Sequence, residues 1–151
     1  MSEYQPINEK TDFPNGKYAA RSAVRMVVFQ VLYQDELNPG SRVQFADTIL
    51  KNELPKHQPL QDFACQLLNG IVEKQEQIDA AVTAVAVNWT LSRMTAVDRC
   101  ILRLASYEIM FTETPKAVVI NEAVELAKKF GTNESAGFVN GILDKLPEKQ
   151  I

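Results

Sequence analysis

At 151 residues, with 46% apolar and 23% charged side chains, the chain has the composition of one soluble globular domain with a substantial core, and no run nears the roughly 20 apolar residues that span a bilayer. Its 16 basic and 19 acidic residues leave a net charge of −3, which excludes a protein that holds nucleic acid through its global field. Any such binding has to be local.

Residues 1–16, MSEYQPINEKTDFPNG, mix Pro, Asn and charged residues with little periodic apolar content and read as a flexible extension. They carry neither the basic start nor the apolar segment of a secretory signal, the pattern of a cytoplasmic chain. From Lys17 to about Leu37, the residues Ala20, Val24, Val27, Val28, Val31 and Leu32 form one helical face, until Asn38-Pro39-Gly40 breaks it. The other side carries Lys17, Arg21, Arg25, Phe29 and Tyr33 at intervals of four, a stripe of cations followed by rings. No acidic residue occurs from Phe13 to Gln34, so positive charge is concentrated here alone. The stripe can supply phosphate contacts and a stacking ring, or it can be a solvated helix end with its rings in the core; the second reading suits Phe29 and Tyr33 better.

A helix from Ser41 to Leu54, with Val43, Phe45, Ile49 and Leu50 inward, is broken by Pro55-Lys56-His57-Gln58-Pro59. His57, the one histidine, has no partner at a defined spacing and reads as a loop residue. Leu60 to Glu73 continues as a helix through Phe63, Ala64, Leu67, Leu68, Ile71 and Val72. Gly70 inside it costs about 1 kcal/mol relative to Ala, which makes sense where another helix packs closely. Glu76 to Trp89 gives a further helix with Ile78, Ala81, Val82 and Val85 inward and Trp89 closing the end of the core. Cys65 and Cys100 lie in apolar helical patterns without a second Cys or His at ligand spacing, so both read as buried free thiols rather than a disulfide or metal site.

After a connection from Thr90 to Met94, Thr95 and Asp98 form a start resembling a capping box, and Val97, Ile101, Leu104, Ala105 and Ile109 line a helix to about Phe111. Its polar face, Asp98, Arg99, Arg103 and Glu108, is either solvated or a protein-docking face with charges at its rim. In the next helix Thr114 can cap, Pro115 suits the first position, and Val119, Ile120, Ala123, Val124, Ala127 and Phe130 turn inward. Lys128 and Lys129 meet the carbonyl end of the dipole, Glu125 pairs with either, and Gly131 ends the helix. The short turn Gly131-Thr132-Asn133-Glu134-Ser135 leads into a last helix with Phe138, Val139, Ile142, Leu143 and Leu146 inward and Pro147 as its stop. Its first amides favour phosphate, and Gly137 and Gly141 bare a strip of backbone that a second helix or a nucleic-acid backbone can approach. No strand-like alternation and no repeat occurs. The expectation is an all-α compact bundle of six to seven helices in two antiparallel halves, a single domain over 17–147 with a tail at 148–151.

Catalysis finds little support: there is one histidine, no phosphate-cradling glycine loop and no thiol beside a base, and Glu122 and Glu125 share their helix with Lys128 and Lys129 as salt-bridged surface. Neither an enzyme nor a cofactor or metal site is expected.

INEAVELAKKFGT (Ile120–Thr132) followed by FVNGILDKL (Phe138–Leu146), with VDRCILRLASYE (Val97–Glu108) and Gln30–Tyr33 upstream, resembles the NusB family of transcription antitermination factors over roughly Lys17 to Leu146. The resemblance implies a helical protein that binds the boxA element of nascent RNA together with the ribosomal protein NusE, joins RNA polymerase and suppresses termination, notably in ribosomal RNA synthesis. It places RNA on Lys17, Arg21 and Arg25 with the segment Asn133, Glu134, Ser135 to Phe138, and NusE on Arg99, Arg103 and Glu108. Some members form homodimers. Ser22 and Ala23 stand where members often carry arginines, and Gly137 where they often carry a basic residue, which implies low intrinsic RNA affinity. With about three phosphate contacts, log affinity falls against log salt with a slope of roughly −2. The alternative is a non-catalytic helical adaptor that docks protein and not RNA.

Overall fold

The computed structural model describes residues 17–42, 46 and 57–148. The extension over 1–16, and the helix expected from Ser41 to Leu54 apart from Ser41, Arg42 and Ala46, lie outside them. Every regular element among the described residues is helical: α1 (Lys17–Leu37), α2 (Gln58–Val85), a 3-10 turn (Leu91–Arg93), α3 (Ala96–Phe111), α4 (Lys116–Phe130) and α5 (Ser135–Asp144). Among the described residues five α-helices are counted, where six to seven are expected of the whole chain. One difference is that α2 runs unbroken for 28 residues through Glu73-Lys74-Gln75-Glu76, where a break is expected. All four are good helix formers and none removes a backbone donor, so a polar stretch here is only a solvated turn. The chain forms two compact units, the first ending at Leu68 and the second beginning at Asn69, and α2 contributes to both.

In the first unit Ala20, Val24, Val27, Val28, Phe29 and Val31 of α1 and Leu60, Phe63, Ala64 and Leu67 of α2 are buried. The end of α1 is tied off by Asp35. Its Oδ1 accepts from the backbone N–H groups of Gly40 (3.1 Å) and Arg42 (3.0 Å), and Oδ2 lies 3.6 Å from the Arg42 guanidinium. The turn needs Gly40, whose φ of +92° lies in the left-handed region that side chains disfavour. Cys65 is exposed, contrary to expectation, because Ala64, Leu67 and Leu68 take the inward face of α2 and leave position 65 outside. Cys100, on α3, is buried as expected.

The second unit is built on α3, whose residues Asp98, Cys100, Ile101, Leu102 and Leu104 through Met110 are all buried. A helix buried nearly all round is a core element rather than an amphipathic cover. Thr95 starts it as expected, its Oγ1 accepting from the Asp98 amide at 3.1 Å, and Thr112 ends it by donating its hydroxyl to the Glu108 carbonyl at 2.7 Å. Helices α3, α4 and α5 pack against one another in pairs. Gly70 on α2 lies directly against Tyr107 of α3, the close packing expected for a glycine inside a helix. A Cβ there would overlap the phenol ring of Tyr107.

Two outcomes follow from this contact. Gly70→Ala, which in an open helix would stabilise by about 1 kcal/mol, should instead destabilise by about 1–3 kcal/mol through overpacking, read as a lower urea midpoint at unchanged slope. Burial, with Glu73 and Glu108 nearby, holds the Tyr107 phenol above its ordinary pKa of 10.0, so the folded state favours the neutral form. The resulting stability is full below pH about 10 and lost as pH rises through the folded value; Tyr107→Phe should therefore lose less stability than the parent across that alkaline range in denaturant titrations.

Candidate nucleic-acid interface

Of the cationic stripe on α1, Lys17 opens the helix but its side chain lies outside the described ones. Arg21 is exposed, whereas Arg25 is only 3% exposed. Both guanidinium groups sit over one ring, Phe63 of α2, at 4.4 Å and 5.4 Å from its centroid. The negative face of the ring offsets part of the repulsion between the two cations and holds Arg21 at the surface in a defined direction. Further along the stripe Phe29 stacks on Tyr33 at 6.0 Å with 20° between the rings. Phe29 is buried and Tyr33 half-buried, which matches the core reading of the rings. Sequence periodicity assigns Phe63 to the core correctly but cannot show that its ring faces two cations.

The second group of candidates lies in the second unit, at the turn between α4 and α5. Gly131 ends α4 with its amide donating to the Ala127 carbonyl at 2.8 Å, and a Cβ there would collide with Ser135. The Ser135 hydroxyl accepts from the Thr132 amide at 2.9 Å, and Ser135 is buried at 1% exposure. Ser135 therefore helps to build the turn. Asn133 and Glu134 are exposed, and no side-chain hydrogen bond caps the α5 start at Glu134. Phe138 is half-buried and meets Trp89 edge-on, with centroids 5.5 Å apart and 72° between the rings. Trp89 is 47% exposed and so does not plug the core as expected. Helix α2 ends at Val85, and the turn after it carries the indole outward. No described atom comes within 4 Å of a Cβ built at Gly137 or Gly141, so no helix among the described residues fills that strip.

The start of α4 and the end of α5 are joined by Lys116, whose ammonium donates to the carbonyls of Asp144 and Leu146, both at 2.8 Å. A cation on carbonyls at a helix end satisfies acceptors that the helix cannot. Pro115 takes the capping position of α4 without a side-chain bond, and the Thr114 amide donates to Thr112 Oγ1, so Thr114 is not the cap that the sequence suggests. Lys128 pairs with Glu125 at 3.5 Å on an exposed face, as expected.

The mixed-charge face expected on α3 is not open surface. Glu108 is 1% exposed and Asp98 8%. Arg99 donates through Nη1 to the carbonyls of Leu91 (2.7 Å) and Met94 (2.9 Å), which pins the connection before α3. Arg103 grips Asp79 of α2 with a fork, Nε to Oδ1 at 3.0 Å and Nη2 to Oδ2 at 3.1 Å. Asp79, 24 positions away, has no signal in the sequence that marks it as a partner. No group of three or more His, Cys, Asp or Glu among the described residues is placed to hold a metal ion, and no described helix is long and apolar enough to cross a membrane.

Residues 22–148 match the family model described as the NusB family. The chain belongs to the NusB family. It is 41% identical over 135 residues to transcription antitermination protein NusB of Geobacter sulfurreducens, covering 86% of this chain and 98% of that relative. It is 43% identical over 133 residues to transcription antitermination protein NusB of Streptomyces avermitilis, covering 86% and 92%. Among solved structures, T. maritima NusB superposes with a TM-score of 0.76 at 38% identity, over 83% of this chain and 88% of that one. A crystal structure of the antitermination factors NusB and NusE in complex with dsRNA gives 0.76 at 25% identity, over 85% and 96%. Within this NusB-family chain, the stretches that carry the resemblance form part of α1, α3, α4, the turn after α4, and α5.

The Arg103–Asp79 fork, with side chains 16% and 25% exposed, should behave as a part-buried charge-assisted pair. A double-mutant cycle with Asp79→Asn and Arg103→Gln should give a coupling above about 1 kcal/mol, against 0.2–1 kcal/mol for exposed pairs, in thermal or urea unfolding.

Proposed function

We propose that this chain is a transcription antitermination factor that binds boxA-type RNA together with NusE, joins transcribing RNA polymerase in the cytoplasm and suppresses termination, notably in ribosomal RNA synthesis. The observation that carries the reading is the family match over residues 22–148, with NusB relatives covered almost end to end. The role is binding, without catalysis and without a cofactor. RNA lies along Lys17 and Arg21 at the start of α1 in the first unit, and along Asn133, Glu134 and Phe138 at the start of α5 in the second; Arg25 and Ser135 act beneath these residues, Arg25 by sharing the Phe63 ring with Arg21 and Ser135 by shaping the turn. Arg99, Arg103 and Glu108 support the NusE surface from within rather than touching the partner, since each is drawn into the unit. A chain of net charge −3 with one basic strip is suited to a basic partner, which supplies the positive charge that this chain lacks.

The test is anisotropy of a labelled boxA-type RNA titrated with the protein, alone and with saturating NusE, against a scrambled RNA. Selective binding tightened by NusE is expected. If neither RNA binds even with NusE, the chain is a docking adaptor instead. With Arg25 buried, two phosphate contacts remain and the salt slope should be about −1.4, shallower than three cations would give. Arg21→Glu should weaken RNA binding at least about tenfold, since it replaces an attraction by a repulsion, and leave both the fold and NusE binding unchanged.

A further inference from the structure

The one tryptophan of the chain stands where packing does not require it. Trp89 is 47% exposed, and Val87 two positions before it is 69% exposed, although burying either would stabilise the fold. The backbone beneath the ring is well held. Asn88 adopts the left-handed conformation at φ 69°, the Trp89 amide donates to the Ala86 carbonyl at 3.1 Å, and Arg99 fixes the Leu91 and Met94 carbonyls just downstream. The indole is therefore presented to solvent from a fixed turn. Two features adjoin it, Phe138 edge-on at 5.5 Å and the Arg93 guanidinium 5.9 Å from its ring; on α5, Phe138 is preceded and followed in sequence by Gly137 and Gly141, with no described atom where their side chains would be.

We propose that Trp89, braced by Phe138 and served by Arg93, is the platform on which an unstacked base of single-stranded RNA lies, so that the RNA surface extends from the start of α5 onto the connection before α3. The proposal rests on the RNA-binding reading above and names a contact that the reading does not contain. An exposed aromatic face accepts any base, and stacking of this kind contributes about 1–3 kcal/mol per base. Arg93 adds a cation that can meet the adjoining phosphate, and the side-chain-free strip lets a sugar–phosphate backbone come close. A protein partner could also use an exposed tryptophan. RNA is favoured because the ring touches Phe138, the residue of α5 already assigned to RNA, so the two surfaces are continuous.

Because Trp89 is the only tryptophan, its emission reports on this site in the unmodified full-length chain. The experiment adds a boxA-type oligonucleotide to the protein, with and without NusE, and follows Trp89 emission while anisotropy of the labelled RNA measures binding independently. Emission should be quenched in step with binding. Trp89→Ala should weaken RNA binding about 5- to 100-fold and Trp89→Phe much less, since a smaller ring still stacks. With Arg93 as a third phosphate contact the parent slope should be about −2.1 rather than −1.4, and Arg93→Ala should bring it back to about −1.4. If Trp89→Ala does not fold, the quenching in the parent protein decides. RNA that binds with unchanged emission and unchanged affinity for the variants overturns the platform and leaves the antitermination reading intact. Emission that responds to NusE alone and not to RNA overturns it in favour of a protein contact. Absence of RNA binding under every condition overturns both.

Discussion

Burial of α3 on nearly every side is the constraint from which the second unit follows, because a helix in that position has little water for its polar groups; most are bonded inside the unit, while Asp98 Oδ1 and Ser106 Oγ lie buried with no hydrogen-bond partner among the described residues. The ends are closed by two threonines, Thr95 through its hydroxyl oxygen and Thr112 through its hydroxyl proton. The cations are spent inside the unit, Arg103 on Asp79 and Arg99 on two carbonyls of the connection. The Tyr107 ring occupies the space that Gly70 leaves open, which sets how closely α2 and α3 can approach. Ile101, Leu102, Leu104 and Ile109, all at 2% exposure or less, supply the favourable term, at about 1.5–3 kcal/mol for each side chain fully buried.

Packing on that central helix carries through to the exposed edge. Helix α4 lies against α3, and Gly131 turns the chain so tightly that the Ser135 hydroxyl is consumed in forming the turn. Lys116 then ties the far end of α5 back to the start of α4. With both of its ends fixed, α5 presents Phe138 to Trp89 in one geometry. The ring contacts are thus a product of the core as much as of the surface, and pre-organised rings lose less freedom when they meet a ligand.

Much of this was legible in the sequence, and the exceptions have a common cause. Spacing of apolar residues located α1, α3, α4 and α5, and the glycine inside α2 correctly signalled close packing. Periodicity assumes, however, that a helix has one wet side. That assumption failed at Glu108 and Asp98, which look like a solvated face and are buried; Cys65, off the inward face of α2, and Trp89, in the turn beyond its end, look like core and are exposed. It also misread Glu73-Lys74-Gln75-Glu76 as a break, since polarity without Pro or Gly does not stop a helix. At the candidate interface the residue types were legible but not their engagement. Which of Arg21 and Arg25 reaches solvent, and whether Arg103 has a carboxylate across the unit, depend on residues far away in sequence that no local pattern encodes.

The division between Arg21 and Arg25 bears on how an acidic protein can hold an anionic polymer at all. A cation drawn almost fully out of water carries a large desolvation penalty, and Arg25 over the Phe63 ring offsets part of it by facing the ring's electron-rich side, where Arg21 also sits. Only one of the two charges then lies at the surface, so the number of counterions a bound RNA could release from this strip is small. On the proposed reading, affinity built on few charges needs another source, and the aromatic groups would provide one that salt does not screen: stacking depends on contact area and orientation rather than on a long-range field. Such a surface is weak toward arbitrary nucleic acid, which offers phosphates but not free bases, and stronger toward a single strand whose bases can leave the stack. Scarcity of charge, on this view, contributes to selectivity, because the non-specific electrostatic term that would hold the chain on any RNA is kept low.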